Sequence, residues 1–275
     1  MNKYAALISY SGTSFRGWQK QKGKHAGGTP TIQETIELAL SKMTCETVTV
    51  VGSGRTDSGV HALGQVAHFV LRNKPWDCGI LLRGMNSMLP ESIRFLEVRE
   101  VPIEFSAQRS AKKKQYSYYF QQGPTALPHM RHFTRWMSKE LNLVAMNQAI
   151  GLLVGEHDYK AFQGGGAKPG PTVREIFEAE VTREKLVFPG YGASEFGLVR
   201  VRVLGSGFLK QMVRGITGTL LQVGENRRDP CCMSEILETL DRKLVGPTAP
   251  SHGLWLERVW YADFDFTLAR DAALK

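Results

Sequence analysis

The sequence predicts an α+β fold: two ferredoxin-like halves joined in a mixed, mainly antiparallel sheet with a central cleft. Three observations carry this expectation. Strand-like and amphipathic runs follow the order β-α-β-β-α-β between Tyr4 and Val101. The same order of elements, though not of residues, returns between Gln115 and Tyr261. Pro102 stands between the two runs, so residues 1–105 read as an N-terminal half and 106–275 as a C-terminal half.

Each element has a local reason. Tyr4–Ser9 reads as a strand closed by the turn residues Ser11 and Gly12. TIQETIELALSKM, from Thr31, reads as a helix. Thr31 and Glu34 have capping-box spacing, and Ile32, Ile36, Ala39, Leu40 and Met43 fall on one helical stripe. Thr47–Val51 is expected as a strand, followed by the loop GSGRTDSG and a second strand over Gln65–Leu71. Trp76–Met88 reads as a helix with Pro75 at its start, and Ile93–Val101 alternates as a strand. In the second half, QYSYYF from Gln115 is a strand and Leu141–Val154 a helix. REIFEAEVTRE and GLVRVRVLG are two strands joined by a turn around Gly190 and Gly192. Phe208–Val223 and Met233–Leu240 are helices, and Gly253–Tyr261 is the last strand. GGGAKPGP, from Gly164, reads as a mobile loop.

Composition narrows the partners. Lys and Arg number 35 against 26 Asp and Glu, a formal net charge of +9. This fits a polyanion partner such as nucleic acid, and fits equally a merely soluble basic protein. The four cysteines, Cys45, Cys78, Cys231 and Cys232, form no C-x-x-C pair, so neither a zinc site nor a disulfide framework is expected. No apolar run reaches bilayer length and the first residues are too polar for a signal peptide, so a cytoplasmic protein without membrane contact is expected.

Chemistry concentrates in the loop that holds Arg55 and Asp57. Gly52, Gly54 and Gly59 let it turn tightly and let a ligand approach its backbone. Asp57 either bonds turn backbone or faces that ligand. The loop is no dinucleotide fingerprint, because its third glycine is misplaced, and no P-loop, because G-K-[ST] is absent. His61 and His68 have no third zinc ligand close behind and read as scaffold. No G-x-S-x-G elbow supports a hydrolase triad. In SAKKKQYSYYF, Lys112 to Lys114 lead into Tyr116 and Tyr118 on one face and Tyr119 on the other. That pattern suits an RNA-facing strand or an ordinary amphipathic one. In GFLKQMVRGITGTL, Phe208, Met212, Ile216 and Leu220 form an apolar stripe, and Arg214 lies off it, where surface exposure is its ordinary fate.

GSGRTDSGVHALGQVAHF closely resembles the signature loop of the A-type tRNA pseudouridine synthases. The resemblance extends in order through YSGTSFRGWQKQ, TIQETIELAL, NSMLPESIRFLEV, FLKQMVRGITGTLLQVG and TAPSHGLWLERVWY, nearly the whole chain. It implies the pseudouridine synthase fold with a central RNA-binding cleft, and isomerisation of uridine at positions 38, 39 and 40 of the tRNA anticodon stem-loop. It also implies a homodimer that needs neither cofactor nor metal. By position, Asp57 matches the family's catalytic aspartate and Arg55 the arginine that helps displace the target base. Tyr116 matches the tyrosine that contacts the target uridine, and Arg214 the arginine that pairs with the aspartate. Two positions depart from the pattern: Ser11 stands where the family usually has an acid, and Lys114 where it usually has arginine. Lysine keeps the charge but not the bidentate fork. Two other classes remain open at this point. An RNA-binding module would leave Asp57 without a task, and a nucleoside glycosidase would usually need two carboxylates.

Overall fold

A computed structural model describes residues 1–20, 28–185, 197–262 and 264–266. The chain forms two compact units, Met1–Lys113 with the segment that begins at Leu256, and Lys114–Trp255. Both are α+β.

The first unit runs β1 (Asn2–Tyr10), α1 (Ile32–Thr44), β2 (Val51–Gly52), β3 (His61–Leu71), α2 (Cys78–Met88) and β4 (Ile93–Val101). β1 is central. It pairs antiparallel with β3 from Asn2↔Leu71 to Tyr10↔Ala62, and with β4 from Lys3↔Val101 to Tyr10↔Ile93. β2 adds to the far side of β3. The order β4-β1-β3-β2, all antiparallel, is what β-α-β-β-α-β connectivity gives when both helices cover one face. Tyr4 to Ile8 are buried without a break, so β1 is the floor of this unit's core. α1 buries Ile32, Ile36, Ala39 and Leu40. Thr31 caps it, its hydroxyl accepting from the amide of Glu34 at 3.2 Å.

Three expected boundaries move. Thr47–Val50 is not in the ladder. Its backbone is instead held by side chains of α1: the amide of Val48 donates to Ser41 Oγ at 3.2 Å and that of Val50 to Glu37 Oε1 at 3.0 Å, while Gln33 Nε2 donates to the carbonyl of Val50 at 3.1 Å. Gln33 and Glu37 are buried to do this, one helical turn apart beside the apolar stripe. α2 begins at Cys78 rather than near Pro75, because Asp77 caps it through the amide of Ile80 at 2.8 Å. β3 begins at His61, four residues before the expected Gln65.

The second unit holds most of β5 (Ala111–Gln122), then β6 (Arg135–Met137), α3 (Leu143–Gly151), β7 (Gly155–Asp158), β8 (Val173–Lys185), β9 (Gly197–Gly205), α4 (Met212–Gly224) and α5 (Cys232–Thr239). β10 (Leu254–Tyr261) follows, and from Leu256 it belongs to the first unit, where it lies beside β3. Within the second unit the order is β5-β9-β8-β7, antiparallel throughout, with the short β6 parallel to the end of β5. β6 and β7 are too short to have shown a period in the sequence. The turn expected around Gly190 and Gly192 lies outside the described residues. α4 starts at Met212, not Phe208. Ser206–Gln211 is a loop, and Gln211 closes it in a left-handed conformation, φ 58°. The stripe Met212, Ile216 and Leu220 is fully buried, while Phe208 sits outside the helix and does other work.

Removing the Glu37 carboxylate strands the buried amide of Val50. Glu37→Ala should therefore cost about 1–3 kcal/mol of stability in urea unfolding, and Glu37→Gln, which keeps an acceptor oxygen there, distinctly less.

Candidate active site

The Asp57 loop is fixed at both ends and from below. β2 leads into it and β3 leads out, paired at Val51↔His68 and Gly52↔Ala67. Ser53 is fully buried: its amide donates to the carbonyl of Val66 at 2.7 Å and its hydroxyl to Gln65 Oε1 at 2.6 Å. Gln65 Nε2 returns a bond to the carbonyl of Gly54 at 3.0 Å. Thr56 points inward and shares a 2.8 Å hydrogen bond with the buried hydroxyl of Tyr10, at the end of β1. Asp57 closes the turn, its carbonyl accepting from the amide of Val60 at 3.1 Å, and Gly59 takes the φ of 78° that the turn needs.

A second loop, Ser11 to Trp18, lies under the first with almost no side chain between them. A Cβ on Gly12 would fall 2.1 Å from the carbonyl oxygen of Val60, and one on Gly17 2.6 Å from that of Thr56. The amide of Trp18 donates to the carbonyl of Thr56 at 3.0 Å, and Ser58 Oγ donates to the carbonyl of Phe15 at 3.1 Å. His61, fully buried, accepts the amide of Gly12 on Nδ1 at 3.2 Å, the scaffold role its sequence suggested. His68 is also structural. Its Nδ1 accepts from Ala107 at 3.1 Å, and burial with nearby Lys3 and Arg109 drives its pKa down to about 4. Inward Thr56 and outward Arg55 alternate, so Arg55 is exposed and Asp57 half-buried at the loop's surface. Ser11 sits at the edge of this pair of loops, its hydroxyl 3.2 Å from that of Thr13.

The second unit carries Tyr116 and Arg214. Tyr116 is buried on β5, opposite Val203 of β9, and its ring meets that of Phe208 edge-on, centroids 5.2 Å apart. The sequence alone gave Phe208 to a helix core, and nothing in its spacing pointed to this contact. Tyr118, two residues along the same face, is fully buried, and Gly253 makes room for it, since a Cβ there would fall 2.5 Å from the ring. Its hydroxyl has no hydrogen-bond partner among the described residues, and burial raises its pKa well above the usual phenol range against the lowering influence of Arg135 and Arg214. Arg214, on the first turn of α4, is half-buried rather than on the surface. Its Nε donates to the carbonyl of Ala249 at 2.8 Å, while the amide of Ala249 donates back to the Arg214 carbonyl at 3.0 Å. This reciprocal tie sets the direction of the guanidinium.

Arg55 and Asp57 thus share one rigid loop in the first unit, and Tyr116 and Arg214 stand in the second, on a strand and a helix. A half-buried carboxylate on an immobile loop is equipped to act as a nucleophile or a base. Among the described residues no three His, Cys, Asp or Glu side chains come together as metal ligands, and no helix is long and apolar enough to cross a membrane.

Comparison with known proteins is consistent across the chain. A family model described as tRNA pseudouridine synthase matches residues 6–108 and 149–262. A tRNA pseudouridine synthase A of Ruminiclostridium cellulolyticum is 41% identical over 262 residues, covering 95% of this chain and 100% of the relative. Relatives of the same name from Acetivibrio thermocellus and Bdellovibrio bacteriovorus are each 38% identical over 264 residues, covering 95% and 94% of this chain and 100% and 95% of their own lengths.

The bond between Tyr10 and Thr56 gives the loop a measurable signature. Burial outweighs the hydrogen bonds from Thr56 and Gln65 and pushes the Tyr10 phenol up to about 12, against about 10 in the unfolded chain. The unfolded state therefore ionises first, and stability should fall as pH rises through that window. Relative to Tyr10→Phe, wild type should lose about 2–3 kcal/mol across it in urea unfolding. Parallel curves for the two proteins would mean that the phenol is not held as described.

Proposed function

We propose, because this chain belongs to the tRNA pseudouridine synthase family, that it converts uridine to pseudouridine at positions 38, 39 and 40 of the tRNA anticodon stem-loop, with Asp57 as the catalytic residue. Members of the family are isomerases acting on uridine in tRNA. The observation that carries the assignment is the R-T-D-x-G-V-H-A run on a loop held by the inward bonds of Ser53, Thr56 and Ser58, with Asp57 half-buried upon it.

The reaction breaks the bond between uracil N1 and ribose C1′ and forms one between C5 and C1′. The C5 proton leaves and N1 gains one, so no atom or electron is consumed and no cofactor is called for. Positive character builds on the sugar as the first bond breaks. An ionised carboxylate meets that demand, either by attacking C1′ or by taking a proton from C2′. A stem uridine must first leave its stack, at a cost of a few kcal/mol. Arg55, exposed two residues from Asp57, is assigned to that displacement, and Tyr116 to contact with the extruded uracil. Arg214, fixed by Ala249, is assigned to support the carboxylate's charge. The same reading makes the enzyme a cytoplasmic homodimer, which sedimentation with and without tRNA would test.

Carbodiimide labelling with primer extension on unmodified tRNA should give new stops in the anticodon stem-loop with wild type. Asp57→Asn should lower their rate of appearance at least about a thousandfold while tRNA binding stays within about twofold. Binding without stops from the wild type, across several tRNAs, would favour an RNA-binding module instead.

A further inference from the structure

The glycine-rich segment 164–171 has no part in the chemistry above, yet it is held at both ends by cations. At its start, the amide of Gly164 donates to the carbonyl of Lys210 at 2.7 Å, and Lys210 Nζ returns a bond to the carbonyl of Gly165 at 2.8 Å. At its end, Arg174 donates to the carbonyls of Pro171 and Val173 at 3.0 and 2.6 Å. Three of these bonds tether the segment, and the fourth, from Arg174 to Val173, lies just beyond it. Between the tethers, Lys168 is exposed. Space is open where a Cβ would sit on Gly165 and Gly170, so a ligand can reach the backbone there, and Gly166 takes a φ of +66° that only glycine adopts readily.

The Ser206–Gln211 loop, which follows Gly205 at the end of β9, forms the opposite wall. Gly205 faces Lys114 across the β5–β9 ladder, and a Cβ on Gly207 would lie 3.7 Å from Arg174 Nε. Phe208 of the same loop carries the ring against Tyr116. Lys114 is therefore brought beside Arg174, and burial together with that like charge lowers its pKa to about 8. Neither loop contains an acidic residue. Glu175 alternates to the other face of β8 from Arg174. Cations gathered around open glycine backbone are a suitable arrangement for an anion.

We propose that segment 164–171, gripped by Lys210 and Arg174 and supplemented by Lys114 and Lys168, is a cradle for backbone phosphates of the RNA strand beside the nucleotide that Tyr116 contacts. It deepens the proposed function, resting on the reading that this chain acts on tRNA. The cradle positions the strand and leaves sequence choice to other contacts.

The test is the dissociation constant of unmodified tRNA over a series of salt concentrations for wild type, Lys210→Gln, Arg174→Gln and the double variant. Glutamine can still donate to the loop carbonyls, so it removes charge while sparing the tether. Thermal melting checks that each variant is folded. Lys42→Gln, an exposed lysine on α1, serves as the control for generic charge loss. Each cradle variant should weaken binding roughly threefold or more and reduce the slope of log K against log salt by about 0.7–0.9, with the double variant near the sum. Slopes equal to that of Lys42→Gln, or weaker binding with an unchanged slope, would overturn the cradle. Pseudouridine formation by wild type is read separately. Its absence would sink the proposed function, whereas the salt slopes judge the cradle in either case.

Discussion

The position of Asp57 depends on the direct contact of two backbones. The chain from Gly12 to Trp18 and the chain from Gly52 to His61 meet at carbonyl distance, and side chains are excluded from between them at Gly12 and Gly17. Trp18 fills the one place where a ring fits, over Gly52, where a Cβ would fall 2.6 Å from its indole. Backbone packed this closely has no rotamers to exchange, so the loop behaves as an extension of the sheet. A reacting carboxylate benefits from being held in a productive geometry rather than searching for it.

Buried polar groups do much of the remaining holding. Ser53, Thr56, Gln65 and His61 are all buried around the loop; Ser53, Gln65 and His61 bond backbone or one another, and Thr56 bonds the buried hydroxyl of Tyr10. Gln33 and Glu37 act likewise on the segment that leads into the loop. Such groups fix one conformation because any other leaves a buried donor or acceptor stranded, which costs more than a displaced methyl group. Exposed Arg55 and half-buried Asp57 stand on the loop so held.

Charge is divided with similar economy. Some of the arginines are bound up in ladders on the sheet of the second unit, where Arg200 meets Glu184 and Arg202 meets Glu178 and Glu180. Both arginine side chains are partly buried in these pairs. Lys114 on β5 and Arg174 at the start of β8 instead border two loops that contain no acidic residue, and Lys210 lies in one of them. Lys114 stands where the resembling family usually has arginine, and its place beside Arg174 gives that departure a physical setting.

The sequence by itself determined what depends on periodicity and local chemistry. β4 falls where alternation placed it, β1 and β9 where strand-like runs did, Thr31 caps α1 as its spacing required, and the R-T-D run identified both the family and the residue to test. Only the tertiary structure decided what depends on partners far along the chain. Thr47–Val50 has the composition of a strand, but the side chains of α1 reach its backbone first. Phe208 continues a helical stripe on paper, but a left-handed Gln211 ends the helix short of it and frees its ring for Tyr116. Arg214 has the spacing of a surface residue, but the carbonyl of Ala249, thirty-five positions away, turns it inward. In each case local preference is worth a fraction of a kcal/mol per residue, and a satisfied buried hydrogen bond or a packed ring outweighs it.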